Sequence, residues 1–447
     1  MLYFILMDNL LSTSIESLTK RVLSSVNEPE NRLDNDSQIN CQICNSNKMH
    51  KFLSLGHHPN PDGFLTEEKL KESETFYPLE VYFCENCKLV QLGHTVDPND
   101  LFTENFIYTT GSNKGLVRDF HALVEILVKR FDLGEGDLAI DIGGNDGTLL
   151  KNYLPYGINI LNIDPSKAAR LSTEKGIPTK PDFFNEETAI KTKSEFGKAK
   201  IITATNVFAH VDKLDSFMRG IQILLDDKGI FVEESGYIKD LISEREYDSI
   251  YLEHLRYYSL KPLITLFNKF DMDVFDAEKI STHGGSLRVF ACKKGAFPIS
   301  ENIFKILKEE ENFGLYSKEI FDSFGEKVIS NRNNLRNILF ELKKQNKKIM
   351  GLGAPAKGNT LLNFCKIGDE TIDCLLESGS LKIGTYSPGM HLKVLDEEIL
   401  FSENAPDYLL LLIWNIKDII IPKLRSKGFK GGFIVPVPEP HIISYGL

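Results

Sequence analysis

Residues 137–150 read DLAIDIGGNDGTLL, a short apolar run followed by a glycine-rich turn and the start of a helix. The pattern predicts a buried parallel strand whose carboxyl end carries a ligand-binding turn. No Gly-Lys-Ser/Thr follows the glycines, so the segment is not a P-loop, and the full GxGxxG spacing of a dinucleotide site is also absent. The turn therefore favours a ligand that lacks a pyrophosphate.

Further strands and carboxylates follow this turn in an ordered series. The segment INILNIDPS ends a second strand at Asp164, about one βα unit after the glycines. An acidic residue before the glycines and a carboxylate after the second strand are how a class I methyltransferase fold presents S-adenosylmethionine. The residues expected at this cofactor are Asp141, Gly143, Asn145, Gly147, Asp164, Asp182, Phe183 and Asn206. For Asp164 and Asp182 the alternative is an ordinary helix cap.

Four of the seven cysteines form two C-x2-C pairs, CQIC and CENC. Each pair lets two thiolates on a tight turn take adjacent corners of a tetrahedron, so two pairs complete a closed structural zinc site. The spacing and a cytoplasmic setting disfavour disulfides. The predicted zinc ligands are Cys41, Cys44, Cys84 and Cys87. The other cysteines are expected in the core: Cys292, Cys365 and Cys374.

Length and charge limit the class of protein. A chain of 447 residues is expected to form two to four domains, and a net charge of −11 argues against nucleic acid or an anionic membrane as partner. The apolar N-terminus, MLYFILMDNLLSTS, lacks a positive region and is too short for a signal peptide or a membrane span. We therefore expect a soluble, cytoplasmic, monomeric protein.

A second α/β pattern begins after a charged stretch, residues 299–346, that is expected to be helical. The segment GLGAPAKGNTLL repeats the order of strand, glycine turn and helix, with Lys357 and Asn359 at the turn. Backbone N–H groups and an ammonium converging there would suit an anionic group. The alternative is a tight turn with a solvent-facing lysine.

The segment SIYLEHLRYYSL, residues 249–260, concentrates tyrosines around one histidine. If it is helical, Tyr251, His254 and Tyr258 fall on one face. That face is either a part of the core with polar groups at its edge or one side of a site that transfers protons. The segment alone does not decide between the two.

From about residue 41 to 447 the chain resembles the S-adenosylmethionine-dependent C-methyltransferases that act on nucleotide-linked 4-keto deoxysugars. Eight blocks carry the resemblance in order: the paired CxxC, GHHPNPDGFL, DIGGNDG, YLEHLRYYSL, THGGSLRVF, GAPAKGNTLLNF, TYSPGMHL and PDYLLLLIWN. The family implies an α/β chain with a small zinc-binding domain, a Rossmann-like methyltransferase domain and a C-terminal Rossmann-like domain that helps hold the sugar nucleotide. The expected division is an extension over 1–38, then domains over 39–100, 101–298 and 299–447.

The resemblance also implies roles for single residues. His254 would be the base that removes the proton next to the ketone, with Tyr251 and Glu253 beside it and Tyr108, in FIYTTGSN, near the sugar. His283, in HGGSLR, would face the sugar site, although the same segment would also serve as a plain turn between strands. Contacts with the diphosphate or sugar are expected from Lys357 and Asn359.

The implied function is methylation of a nucleotide-diphosphate-linked 4-keto-6-deoxysugar at a carbon beside the ketone, C3 or C5. Thymidine diphosphate is the commoner carrier in the family. Three alternatives are an O- or N-methyltransferase of another small metabolite, a zinc-ribbon adaptor with a decayed cofactor fold, and an NAD-linked enzyme that uses one of the glycine turns.

Overall fold

Three β-sheets follow one another in the computed structural model, which describes residues 39–101 and 109–445 apart from the side chains of Asn99 and His283. The N-terminal extension expected over 1–38 and the candidate site residue Tyr108 lie outside the described residues. None of the helices in the described part of the chain has the length and apolar character of a membrane span.

Strands and helices alternate through most of the chain. The strands are β1 (Met49–His58), β2 (Tyr77–Cys84), β3 (Val90–Leu92), β4 (Leu138–Ile142), β5 (Asn159–Ile163), β6 (Thr179–Lys180), β7 (Ala199–Thr205), β8 (Leu225–Gly236), β9 (Arg256–Tyr257), β10 (Met272–Ile280), β11 (Ser286–Lys293), β12 (Ile349–Leu352), β13 (Leu375–Glu377), β14 (Val394–Asp396), β15 (Tyr408–Leu411), β16 (Gly432–Val435) and β17 (His441–Ile443). The α-helices are α1 (Pro98–Leu101), α2 (Lys114–Phe131), α3 (Ala168–Glu174), α4 (Glu186–Phe196), α5 (Leu214–Leu224), α6 (Ile238–Ser243), α7 (Leu260–Lys269), α8 (Glu301–Phe313), α9 (Lys318–Lys344), α10 (Ala356–Cys365) and α11 (Lys417–Ser426).

The N-terminal sheet is antiparallel, with the order β1-β2-β3-β9. Alternate residues of β2 are buried, Leu79, Val81 and Phe83, as expected for a strand with one face on a core. Its fourth strand, β9, comes from the middle of the chain and pairs with β3. The sheet near the cysteines therefore includes residues that directly follow the YLEH segment.

The central sheet has seven strands in the order β10-β11-β8-β7-β4-β5-β6. β4 is buried along its whole length and pairs in parallel with β5 and β7, as the apolar run before the glycine turn predicts. β11 is antiparallel to β8 and β10. The carboxyl ends of β4, β5 and β7 lie at one edge, where a parallel α/β sheet binds its ligands.

The C-terminal sheet follows the helices α8 and α9, which form in the charged stretch predicted to be helical. Its order is β14-β13-β12-β15-β16-β17, parallel except for β17. The adjacent strands β12 and β15 lie at the topological switch point, outside which an open sheet of this type has its crevice. The glycine turn with Lys357 follows β12 there.

One hydrophobic core joins the N-terminal and C-terminal sheets through α9. Leu79 of β2, Phe321 of α9 and Leu410 of β15 belong to the same cluster of buried side chains. α9 approaches β1 so closely that a Cβ at Gly325 would lie 2.4 Å from the carbonyl oxygen of Phe52. The α/β class expected from the sequence is confirmed, and the cysteine-bearing unit is packed firmly against the rest.

Candidate active site

The segment that carries His254 forms a turn followed by a short strand. The His254 N–H donates to the carbonyl of Tyr251 at 3.0 Å, and the Leu255 N–H donates to the carbonyl of Ala209 at 2.9 Å. β9 then begins at Arg256 and pairs with β3. The segment is therefore not helical, and the helical face considered from the sequence does not form. Its backbone groups make hydrogen bonds to a distant loop and to β3 instead.

Tyr251 and His254 contact each other within this turn. The hydroxyl oxygen of Tyr251 lies 2.8 Å from Nε2 of His254, and Nδ1 lies 3.2 Å from the carbonyl oxygen of Ser249. A carbonyl oxygen can only accept, so Nδ1 carries a proton. In the neutral form of the ring, the lone pair is therefore on Nε2 and accepts from the Tyr251 hydroxyl.

A second histidine, His210, lies beside His254, with ring centroids 4.9 Å apart and ring planes at 77°. It belongs to a short 3-10 turn, Phe208–His210, after β7. Burial lowers the pKa of His210 to about 4. No pattern in the sequence joins His210 to a histidine so far along the chain.

Glu253, next to the base candidate, is buried. Burial raises its pKa well above the usual value; the Asp62 carboxylate adds to this rise and the Lys382 ammonium opposes it. Asp62 and Lys382 form an ion pair at 3.1 Å. The charges around Glu253 therefore come from the insert between β1 and β2 and from the C-terminal unit.

The glycine turn after β4 is built by residues with left-handed backbone conformations. Gly143 has φ +67° and Gly147 has φ +77°, and a Cβ at Gly143 would lie 2.4 Å from Cγ2 of Val207. Asn145, with φ +52°, donates its N–H to the Asp164 carboxylate at 2.7 Å. The Ser166 N–H donates to the other oxygen of Asp164 at 2.7 Å. These contacts fix Asp164 beside the turn.

Asp141, the last acidic residue before the glycines, is buried under the turn. It accepts a hydrogen bond from the hydroxyl of Thr203 at 2.6 Å. Burial raises the pKa of Asp141 to about 7; the Asp164 carboxylate adds to the rise and the Thr203 hydrogen bond opposes it. Thr203 is a site residue that the sequence did not indicate.

The three remaining cofactor candidates lie further along the same edge. Phe183 is 55% exposed, whereas its neighbour Phe184 is buried against Phe217 with ring centroids 5.0 Å apart. Asp182 is exposed next to Phe183. Asn206, with φ +56°, follows β7 and donates its N–H to the carbonyl of Glu234 at 2.7 Å. An exposed aromatic face at this place is available to a planar ring.

The four paired cysteines come together at one end of the N-terminal sheet. Their sulfur atoms all lie within 4.8 Å of one another. The Sγ atoms of Cys41 and Cys87 are 3.4 Å apart, and those of Cys44 and Cys84 are 3.7 Å apart. The other three cysteines are buried, as expected.

The HGGSLR segment forms a tight turn against the acidic face of the 238–249 region. Residues Thr282–Gly284 make a 3-10 turn before β11, and His283 lies within it. A Cβ at Gly284 would lie 2.7 Å from an oxygen of Glu246, and one at Gly285 would lie 2.3 Å from an oxygen of Asp240. Both positions therefore require glycine.

Lys357 stands at the start of α10, at the mouth of the C-terminal glycine turn. Its ammonium donates to Oδ1 of Asn415 at 2.7 Å and lies 4.4 Å from the ring centroid of Trp414. Burial lowers the pKa of Lys357, and the carboxylates of Asp248 and Glu246 oppose this. Because of these contacts, Lys357 is not the lysine that only faces solvent, the alternative considered from the sequence.

Asn359, one turn into α10, reaches the insert between β1 and β2. Its side-chain amide donates to the carbonyl of Pro61 at 2.7 Å. Tyr251 and Asn359 line the same narrow crevice. Residues from all three parts of the chain therefore meet at the turn that carries His254.

The chain is 30% identical over 407 residues to the C-methyltransferase NovU of Streptomyces niveus, a match that covers 90% of this chain and 96% of that protein. The chain belongs to the C-methyltransferase family. The family profiles agree: the zinc binding domain matches 41–102, the methyltransferase domain 118–276 and the C-methyltransferase C-terminal domain 281–438.

Solved structures resemble the C-methyltransferase only in part. An S-adenosylmethionine-dependent methyltransferase of Clostridium acetobutylicum is 13% identical and matches 40% of this chain and 92% of its own, at a TM-score of 0.32. Magnesium protoporphyrin IX methyltransferase of Synechocystis is also 13% identical and matches 40% of this chain and 80% of its own, at 0.31. Similarity of this extent says nothing about the methyl acceptor.

The enzyme uses S-adenosylmethionine, and the residues of the glycine turn fit it. Each oxygen of Asp164 accepts one backbone N–H and retains a lone pair for a ribose hydroxyl. Oδ1 of Asn162, buried 2.6 Å from the Cβ position of Gly144, has no hydrogen-bond partner among the described residues. A Cβ at Gly143 would lie 2.4 Å from Val207 and a Cβ at Gly147 would lie 2.3 Å from Ile177, so the turn keeps this shape only with glycine at both positions.

The cysteine cluster fits a tetrahedral zinc ion. Zn–S bonds of about 2.3 Å place the sulfurs of a tetrahedron about 3.8 Å apart. The observed sulfur separations of 3.4 and 3.7 Å lie close to that value. Zinc is therefore the metal of the family's zinc-binding domain here, with four thiolates and no position left for a substrate.

Proposed function

We propose that this C-methyltransferase methylates a nucleotide-diphosphate-linked 4-keto-6-deoxysugar at the carbon beside the ketone. The observation that carries the proposal is the 2.8 Å contact between Tyr251 and His254 in a member of the C-methyltransferase family. A carbon next to a ketone is a weak acid, so its methylation needs a base and a hydrogen-bond donor for the enolate oxygen. This pair supplies both.

His254 is the base in this proposal. Its proton is on Nδ1, held by the carbonyl of Ser249, so the lone pair of Nε2 receives the proton from the sugar carbon. The Tyr251 hydroxyl then turns from Nε2 to the oxygen of the developing enolate, where a donor is worth most. Electrons of the broken C–H bond move into the enolate, whose carbon is the nucleophile.

The neighbours of His254 suit a base that becomes positive. His210 has a pKa lowered to about 4, so it remains neutral at neutral pH and does not repel an imidazolium at His254. When bound, S-adenosylmethionine supplies the methyl group from a sulfonium centre. Asp164 and the glycine turn hold it at the edge of the central sheet.

The C-terminal unit holds the nucleotide part of the acceptor in this proposal. Lys357, at the N-terminus of α10, offers an ammonium to the diphosphate, and helix N-termini favour anions. The HGG turn, which includes His283, lies against the acidic face that carries Asp240 and Glu246. We also propose that the enzyme acts in the cytoplasm and has no nucleic-acid partner; a net charge of −11 supports the latter, because it disfavours binding to a polyanion.

Deuterium exchange tests this function. The enzyme is incubated with a thymidine diphosphate 4-keto-6-deoxysugar and S-adenosylhomocysteine in heavy water, with His254→Ala alongside. Enzyme-dependent deuterium at C3 or C5 that the variant fails to incorporate is the expected result, and it identifies the methylated carbon. Absence of exchange with several nucleotide sugars would contradict the proposal and favour an acceptor methylated without an enolate.

A further inference from the structure

The carbonyl that orients the ring of His254 belongs to a short 3-10 turn, Tyr247–Ser249. This carbonyl, of Ser249, lies 3.2 Å from Nδ1 of His254. The turn is closed by the Ile250 N–H, which donates to the carbonyl of Tyr247 at 3.1 Å. The direction of the Ser249 carbonyl, and with it the place of the Nδ1 proton, therefore depends on what holds this turn.

The two residues that precede Ser249 are both 0% exposed, and each contacts the C-terminal unit. The Tyr247 hydroxyl donates to Oδ1 of Asn331, on α9, at 2.9 Å. Oδ2 of Asp248 accepts from Nε1 of Trp414 at 2.6 Å. Buried hydrogen bonds of this kind are costly to break, because the groups left behind have no water to bind. Side chains of the C-terminal unit therefore fix the position of the turn.

Trp414 also contacts the lysine proposed to bind the diphosphate. It begins a 3-10 turn shortly after β15, whereas Lys357 follows β12, the neighbouring strand at the topological switch point. The Lys357 ammonium lies 4.4 Å from the centroid of the Trp414 ring. Burial raises the pKa of Asp248, and the Lys357 ammonium and the indole N–H oppose this rise. One indole ring thus contacts both the candidate diphosphate site and the turn beside the base.

We infer that Trp414 and Asp248 position the general base. Their hydrogen bond holds the turn so that the Ser249 carbonyl accepts from Nδ1 of His254, which leaves the Nε2 lone pair of the neutral ring for the proton of the acceptor. Neither residue touches the acceptor or S-adenosylmethionine in this inference. It rests on the proposed function, because it takes His254 to be the base. Under it, the C-terminal unit contributes to enolisation as well as to binding of the nucleotide.

Trp414→Phe tests the inference, because it removes the indole N–H and keeps an aromatic ring. Tyr316→Phe is the matched control. The Tyr316 hydroxyl donates at 2.8 Å to Glu310, a carboxylate that is also 0% exposed, and the Lys261 ammonium lies 4.1 Å from the Tyr316 ring centroid. Among the hydrogen bonds of the described residues, none joins Tyr316 or Glu310 to the Tyr247–Ser249 turn. Both variants therefore remove one donor to a buried carboxylate, but only Trp414→Phe affects the turn.

Two measurements separate positioning from folding. In the free enzyme with isotopically labelled histidine, nitrogen NMR shifts at slightly alkaline pH report which nitrogen of the neutral His254 ring carries the proton, and His254→Ala assigns the resonances. The second measurement is of kcat and KM for a thymidine diphosphate 4-keto-6-deoxysugar, together with the Kd of S-adenosylmethionine. Thermal unfolding records the loss of stability that both variants share.

Wild type and Tyr316→Phe are expected to show the His254 proton on Nδ1. Trp414→Phe is expected to show a mixture of the two tautomers and a fall in kcat of about 10²-fold, the effect of misplacing a catalytic group by about 1 Å, with the Kd of S-adenosylmethionine unchanged. Asp248→Asn, whose amide oxygen still accepts from the indole, is expected to keep the wild-type tautomer and most of the turnover. If Trp414→Phe does not fold, Asp248→Ala takes its place, because it leaves no unpaired buried charge.

Wild-type His254 shifts and turnover in the folded variant would overturn the inference. So would a fall in kcat of the same size in Tyr316→Phe, because the effect would then follow from lost stability and not from the turn. Absence of wild-type turnover with the nucleotide sugar, together with an altered tautomer in Trp414→Phe, instead counts against the proposed function, because the tautomer is measured without any acceptor.

Discussion

The hydroxyl oxygen of Tyr251 lies 2.8 Å from Nε2 of His254, on a turn that runs directly into a strand of the zinc-binding sheet. That strand, β9, is the only one of its sheet that does not come from residues 49–92 of the described chain. The geometry of the pair thus depends on backbone pairing with the zinc-binding domain as well as on the central sheet.

Replacing His254 with alanine is expected to lower turnover by about 10²–10⁴-fold, the usual contribution of a general base. S-adenosylmethionine binding, measured by calorimetry, should persist because the glycine turn and Asp164 are separate from the histidine. His121→Ala on the exposed face of α2 is the control. A variant with wild-type turnover would refute the assignment of the base.

Tyr251→Phe removes the hydroxyl and keeps the ring. Loss of one donor to a developing oxyanion typically costs about 10²–10³ in kcat, so we expect a fall of that size with little change in KM for S-adenosylmethionine. Deuterium exchange into the acceptor should fall in parallel, because the enolate forms before methyl transfer. Exposed Tyr156→Phe should behave as wild type. Full exchange in the Tyr251 variant would exclude the hydroxyl from enolate formation.

Gly143→Ala is expected to abolish measurable S-adenosylmethionine binding. The added Cβ would lie 2.4 Å from Val207, and the residue has φ +67°, so the turn would have to move. Gly134→Ala is the control, since no atom lies within 4 Å of its Cβ position and its φ is not positive. Calorimetric titration of both variants decides the point, and tight binding by Gly143→Ala would place the cofactor elsewhere.

Local sequence patterns predicted the structural features that are set by residue spacing along the chain. The C-x2-C pairs indicated the sulfur cluster, and the apolar run before Gly143 indicated β4 and its turn, because each is set by spacing along the chain. The spacing of tyrosines around His254 suggested a helical face, yet β3 pairs with the following residues and makes a strand. Partners far apart in sequence, such as His210 and His254, leave no local pattern to detect.

Asp141 is expected to make the free enzyme less stable as pH rises. Its pKa is about 7 in the folded state because of burial, against an ordinary value of 3.8, so the folded form keeps a proton that the unfolded form loses. The stabilisation from Asp141 is complete below about pH 4 and is lost as pH rises to 7, by at most about 4 kcal/mol. Burial raises the pKa of Glu233 to about 8, so this residue also makes the folded protein less stable as pH rises.

Thermal unfolding of the free enzyme between pH 5 and 7.5 checks this sign. Tm should fall less steeply with pH in Asp141→Asn than in wild type, and less steeply again when Glu233→Gln is added. Asp418→Asn, at an exposed position, is the matched control. A slope in Asp141→Asn equal to that of wild type would mean that this carboxyl is ionised in the folded protein.

Zinc removal is expected to reduce turnover even though four thiolates leave the metal no open position. β3 directly follows the second cysteine pair in the sequence. In the sheet, Val90 and Gln91 of β3 pair with β9. Loss of the metal in Cys84→Ser should loosen this pairing and hence the turn with His254, so turnover should fall and amide exchange at residues 254–258 should rise. Cys292→Ala, at a buried cysteine of β11, should retain one zinc per chain and wild-type exchange. Full turnover in a zinc-free Cys84→Ser enzyme would show that the turn holds its geometry without the zinc-binding domain.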